Sequence, residues 1–111
     1  SLEASRAVRL TTDLLQKASK VTILSAGSGE PHGATAEDLK DYLKLRKVNA
    51  DIDKFAVRDN AGAALLEHCG RVGADLLVMG AYGDSHEREV MFGGNTQTVV
   101  DTAKIPVILV H

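Results

Sequence analysis

A chain of 111 residues with 44% hydrophobic and 25% charged residues has the size of one globular domain, so we expect one domain over residues 1–111. The formal net charge is -2, no basic run is longer than Arg46-Lys47, and aromatic residues are few, which excludes the positive stripe and stacking platforms of a nucleic-acid binder. The apolar stretches have strand length rather than the ~20 residues that cross a bilayer, so no membrane partner is expected.

The first part of the chain shows helix and strand signals in alternation. Apolar residues at helical spacing between positions 4 and 18 predict one amphipathic helix of about five turns. The β-branched run at residues 21–25 predicts a strand buried on both faces, and a glycine-rich loop follows it. Thr35 and Asp38 have the spacing of a capping box, which predicts the start of a second helix.

The middle of the chain predicts an edge strand and a third helix. Residues 48–53 alternate between apolar and polar side chains, the period of a half-exposed strand. Phe55 departs from this alternation by one residue, which predicts a bulge or an early strand end. Asp59 or Asn60 can cap the third helix, and Gly73 is expected to stop it.

Two neighbouring side chains of the third helix could carry chemistry. Cys69 lies on the apolar face, where we expect a buried and inert thiol. A single cysteine forms no internal disulfide, which favours a reducing compartment and thus the cytoplasm. His68 is expected on the exposed side of the helix, and the histidines show no metal-ligand spacing, so we expect no metal site.

The last third of the chain predicts a strand at residues 76–79, a loop, a helix at about residues 95–104 and a final strand at residues 107–110. In that helix we place Val99, Val100 and Ala103 on the inner side. Apolar strands alternating with helices are typical of an α/β fold with a parallel sheet and helices on both faces. Such folds bind ligands at the carboxyl ends of their strands.

Glycines follow the strand at residues 76–79 with a distinctive spacing. Gly80 and Gly83 are separated by two residues, and Gly93 follows after nine more. In this motif the chain resembles the universal stress protein family. The segments 74–80 and 105–111 also fit the last two strands of that family. The resemblance covers essentially the whole chain and implies a Rossmann-like domain. Glycines at a helix start also leave backbone N–H groups free to attract phosphate.

The resemblance implies a binding module for ATP or AMP in stress adaptation, with Mg²⁺ only where ATP is bound. Ala26 would sit near the adenine. The resemblance also places Met79 at the nucleotide site. The phosphates would lie against Gly80, Tyr82, Gly83, Gly93, Gly94, Asn95 and Thr96. Arg88, in the long loop at residues 84–92, could also meet a phosphate, and a solvated loop is the alternative. Slow ATP hydrolysis has no candidate base, so no enzyme is expected.

The chain departs from the family pattern at two places. Gly94 stands where serine or threonine is usual, so one hydroxyl contact to phosphate is lost. The family's first, central strand is missing, because the sequence begins with a helix signal. Buried unpaired backbone groups cost about 1 to 3 kcal/mol each, so we expect the slot to be filled by a preceding segment or by a second chain.

The final strand predicts self-association. An uncharged apolar strand at a sheet edge invites pairing with another copy, and the resemblance implies dimers, so we expect a homodimer through residues 107–110. Two functions stay open at this point. One is an adenine-nucleotide-binding module, and the alternative is a dimerising scaffold of the same family that has lost nucleotide binding.

Overall fold

The structure, a computed structural model, describes residues 2–26, 35–80 and 95–110. These ranges hold five helices and four strands in alternation. In chain order the elements are α1 (Leu2–Leu10), α2 (Thr12–Lys17), β1 (Val21–Ala26), α3 (Ala36–Leu45), β2 (Ala50–Phe55), α4 (Ala61–Val72), β3 (Leu77–Gly80), α5 (Asn95–Thr102) and β4 (Val107–Val110).

The strands separate two layers of helices, because successive strand residues point to opposite faces. On β1, Ile23 belongs to a core cluster with Leu43 of α3, against which Val8 of α1 also packs. The next residue, Leu24, packs against a second cluster formed by Cys69 of α4, Leu77 and Val99. Helices therefore cover both faces, and the predicted α/β, Rossmann-like class is confirmed.

The strands form two parallel pairs. β1 pairs with β2 from Val21↔Ala50 to Ala26↔Phe55, and β3 pairs with β4 from Leu77↔Val107 to Gly80↔Val110. Within the described ranges no ladder joins the two pairs. The two separate pairs agree with the predicted absence of a central strand. The two hydrophobic clusters follow a different division, because they include residues from opposite faces of β1.

The predicted single N-terminal helix is interrupted at Thr11. The Thr11 hydroxyl donates to the carbonyl of Ala7 at 2.8 Å, and Thr12 donates to that of Val8 at 3.1 Å. Hydroxyl groups bonded back to the preceding turn compete with the backbone ladder and bend helices. Two consecutive threonines thus divide the segment into α1 and α2.

The helix caps that the sequence predicts have the expected geometry. Thr35 and Asp38 form a reciprocal capping box, with bonds of 3.0 and 3.1 Å. Asn60, rather than Asp59, caps α4, and Gly73 ends it in the left-handed conformation at φ 71°. These features depend on residues within four positions of one another, so they follow directly from the sequence.

Two further predictions need correction. Of the two alternatives predicted at Phe55, the bulge is wrong, because the pairing of β1 with β2 continues without interruption to that residue. β2 ends there, in agreement with the alternative of an early strand end. Val100 is 55% exposed, whereas Val99 beside it is fully buried. Consecutive helical residues are about 100° apart around the axis, and α5 turns only one of the two towards α4.

Candidate functional site

The carboxyl ends of the strands define the edge at which a ligand is expected. Ala26 ends β1 opposite Phe55, and Gly80 ends β3 opposite Val110. In parallel α/β sheets these ends lie along one edge, where the connecting loops form a crevice. α5 begins at Asn95, after the connection that leaves Gly80. The described part of the predicted site therefore consists of two strand ends and the first turn of a helix.

The described site residues have different environments. Ala26 is exposed and Gly80 is half-buried at the end of its strand. The partly buried side chain of Met79 packs against the cluster around Cys69 and Val99. Thr96 is buried at 7% exposure in the first turn of α5. The predicted residues Tyr82, Gly83, Gly93 and Gly94, and also Arg88, lie outside the described residues.

A side-chain hydrogen bond joins α4 to α5 beside this edge. The Oδ1 atom of Asn60 accepts the N–H of Ala63 at 2.9 Å, which caps α4. Its Nδ2 atom donates to Oγ1 of Thr98 at 3.1 Å, and the contact is partly buried. Asn60 thus uses its acceptor within its own helix and its donor on the neighbouring helix.

A second polar contact joins α4 to β2 and corrects the predicted position of His68. The Nδ1 atom of His68 lies 2.7 Å from Oδ2 of Asp53, with side-chain exposures of 15% and 29%. The imidazole also stacks on Phe55, with ring centroids 3.8 Å apart. His68 therefore faces the sheet, because Asp53 and Phe55 share the strand face that α4 covers.

The sequence contains a partial signal for this cluster of Asp53, Phe55 and His68. His68 follows Leu65 by three residues and precedes Val72 by four, which is the spacing of one helical stripe. That spacing indicates that His68 faces inwards. The identity of its partners could not be found this way, because Asp53 lies fifteen residues earlier and meets His68 only in the folded structure.

The charged pair of Lys54 with Glu37 and the thiol of Cys69 are poor candidates for a nucleophile. The Lys54 ammonium, hydrogen-bonded to Glu37, holds the pKa of that carboxyl below its ordinary value. Burial raises the pKa of the Cys69 thiol, so the prediction of a buried thiol is confirmed and the thiolate is disfavoured. Within residues 2–26, 35–80 and 95–110, no three His, Cys, Asp or Glu side chains cluster as a metal site would require.

An open apolar cavity of about 410 Å³ lies between α4 and the end of α5. Leu66, Gly70 and Ile105 contribute to its wall, with Lys104 among its polar residues. Of the predicted nucleotide-binding residues that the structure describes, none belongs to its wall. This cavity is therefore separate from the strand-end edge.

The described fold and the geometry of the strand-end edge define an α/β domain of the Rossmann-like class. The family model described as the Universal stress protein family matches residues 2–111, and the chain belongs to this family. Among solved structures, the chain is similar to a universal stress protein in complex with cAMP, with 26% sequence identity and a TM-score of 0.63. The similarity covers 96% of this chain and 88% of that one.

No curated protein matches the chain. None of the helices that the structure describes is both long enough and apolar enough to cross a membrane.

Proposed function

We propose that this universal stress protein domain binds an adenine nucleotide at the edge formed by the ends of β1 and β3 and the start of α5. The observation that carries the proposal is the family match over residues 2–111, together with a similar solved protein that is in complex with cAMP. The glycine motif that begins at Gly80 adds support, since its spacing suits a phosphate-binding turn.

The described residues suit such a ligand. The half-buried Gly80 lets another group approach its backbone closely. α5 begins at Asn95, and the first N–H groups of a helix have no carbonyl partner within that helix. Ala26, at the end of β1, has a small and exposed side chain against which an adenine ring could pack. We propose ATP or AMP as the ligand, with cAMP as a third nucleotide to be compared and with Mg²⁺ accompanying ATP only.

Thermal unfolding with increasing nucleotide tests this proposal. A ligand that binds only the folded protein stabilises it by about 2.7 kcal/mol at a concentration of 100 times its Kd. We expect the melting temperature to rise with ATP, AMP or cAMP. EDTA should reduce the shift caused by ATP and leave the shifts caused by AMP and cAMP unchanged. Thr96→Val should reduce the shift, whereas Thr102→Val on the exposed side of α5 should not. No shift at millimolar nucleotide contradicts the proposal.

We propose a binding role rather than catalysis. Two of the side-chain pairs that involve β2, Asp53 with His68 and Glu37 with Lys54, already contact one another within the fold. A steady-state assay of phosphate release is expected to show no ATP turnover above a protein-free control. The cytoplasmic location stays a prediction that rests on the single cysteine.

A dimerising scaffold is the second candidate, and one observation favours it. β4 pairs with β3 along one side, and its Leu109 is 38% exposed, as an edge strand that meets a second copy requires. Leu109→Lys is expected to convert a dimer into a monomer in light scattering. The control is Val100→Lys, which adds the same charge at an exposed apolar residue of α5. A dimer that survives Leu109→Lys contradicts the role of Val107–Val110.

We further propose that a strand absent from the described residues fills the space between β1 and β3 and completes one domain. The two separate strand pairs support this proposal, since β1 and β3 each have one edge without a strand partner in the described part. Intact-mass measurement of the natural protein separates the two possible sources. A larger mass, with the additional residues located before position 1, supports a preceding segment, and a mass equal to these 111 residues leaves strand exchange with a second chain.

A further inference from the structure

We propose that Asn60 is a positioning residue for the nucleotide site and acts through Thr98 on α5. This inference rests on the proposed nucleotide binding. Asn60 does not itself belong to the glycine motif or to the residues that the family resemblance implies. It follows the end of β2 and lies beside the strand-end edge, thirty-eight residues before Thr98. Its two side-chain hydrogen bonds determine what it can do there.

The first step of the argument is that α4 has a fixed position. His68 is held by Asp53 at 2.7 Å and stacks on Phe55, which ties the middle of the helix to β2. Cys69, one residue further on, is buried in the cluster with Leu77. Polar and apolar contacts of this kind, on two adjacent residues, restrict both sliding and rotation of the helix.

The second step is that the start of α5 is positioned by α4. Val99 is fully buried in the same cluster as Cys69, but an apolar contact permits small rotations. The hydrogen bond from Asn60 to Thr98 is directional and adds a constraint one residue before Val99. It therefore restricts the rotation of the first turn of α5, where Thr96 and the first N–H groups of the helix are found.

The third step is that the positioning role can be separated from the capping role. Thr98→Val keeps the shape of the side chain and the cap on α4 but removes the acceptor of the hydrogen bond. Asn60→Ser keeps a good N-cap but is too short to reach Thr98. Thr102→Val is the matched control, because the Thr102 hydroxyl donates to the carbonyl of Thr98 within α5 at 2.6 Å and makes no hydrogen bond to α4 among the described residues.

The test combines calorimetric titration with ATP and hydrogen exchange of the ligand-free protein. We expect Thr98→Val and Asn60→Ser each to weaken ATP binding about fivefold, the equivalent of one ordinary hydrogen bond. The amides of residues 99–102, whose N–H groups bond to the carbonyls of the first turn of α5, should exchange faster in both variants. Thr98→Ser, which restores the hydroxyl, should bind as the wild type does, and Thr102→Val should change neither measurement.

The outcomes distinguish this inference from the proposed function. Wild-type protein that binds no ATP, AMP or cAMP overturns the proposed function, and the positioning role falls with it. If the wild-type protein binds a nucleotide and Thr98→Val changes neither the affinity for ATP nor the amide exchange, only the positioning role is overturned. Equal losses in Thr98→Val and Thr102→Val also overturn it, because the effect then belongs to the helix and not to its contact with Asn60.

Discussion

The imidazole of His68 on α4 bridges two side chains of β2, with Asp53 at 2.7 Å on its Nδ1 atom and the ring of Phe55 stacked 3.8 Å away. The two strand residues are two apart, so they point to the same face of β2. The cluster of Asp53, Phe55 and His68 therefore attaches α4 to β2, the strand that it covers.

We expect Asp53 and His68 to be energetically coupled. In a double-mutant cycle of Asp53→Asn and His68→Gln, the coupling should be about 1 kcal/mol in the free energy of unfolding by urea, because both groups are partly shielded from water. The control cycle uses the exposed pair Glu67 and Arg71, which have the same 2.7 Å separation, and should give about 0.3 kcal/mol. Similar coupling in the two cycles contradicts the shielding argument.

Two glycines near the end of α4 should respond to alanine in opposite directions. Gly73 has φ 71°, where a side chain is strained, so Gly73→Ala should destabilise the protein by about 1 kcal/mol. Gly70 lies within the helix, so Gly70→Ala should stabilise it by about 0.5 to 1 kcal/mol. A Cβ atom meets nothing within 4 Å at either position. Chemical denaturation measures both, and equal signs would falsify the conformational explanation.

The capping box at Thr35 should contribute measurably to stability. Thr35→Ala removes the acceptor for the N–H of Asp38 and is expected to cost about 1 kcal/mol in the free energy of unfolding. Thr35→Ser keeps the hydroxyl and serves as the control, with a change of a few tenths of a kcal/mol. A loss in the serine variant as large as that in the alanine variant indicates that the threonine methyl group, rather than the cap, is responsible.

Cys69 should be unreactive in the folded protein. Its thiol is buried, so we expect modification by a thiol reagent to be at least about tenfold slower in buffer than in denaturant. Rapid modification of the native protein contradicts this expectation.

The same burial predicts a pH dependence of stability. Burial raises the pKa of the Cys69 thiol in the folded state, so its contribution is fully present below the ordinary thiol pKa of about 8.5. The contribution is lost as pH rises through the folded-state value. Stability should therefore fall faster with alkaline pH in the wild type than in Cys69→Ala. Identical pH profiles of the two proteins contradict the assignment.

Features that depend on neighbouring residues could be predicted from the sequence. The α/β alternation, the capping box at Thr35 and the stop at Gly73 arise from hydrogen bonds and conformational preferences within about four residues. The glycine spacing that begins at Gly80 was sufficient to indicate the family, which the match over residues 2–111 establishes. Sequence by itself therefore determined the class of fold and the region where a nucleotide site is proposed.

The tertiary structure decided which side chains meet. The pairing of His68 with Asp53, the link from Asn60 to Thr98 and the outward position of Val100 each depend on how α4 and α5 pack against their neighbours. The break at Thr11 also went against the sequence pattern. The division into two strand pairs, in contrast, agrees with the predicted absence of a central strand. The physical reason is common to the long-range contacts: they join residues far apart in the chain, and hydrophobic periodicity specifies the buried face of an element without specifying its partner.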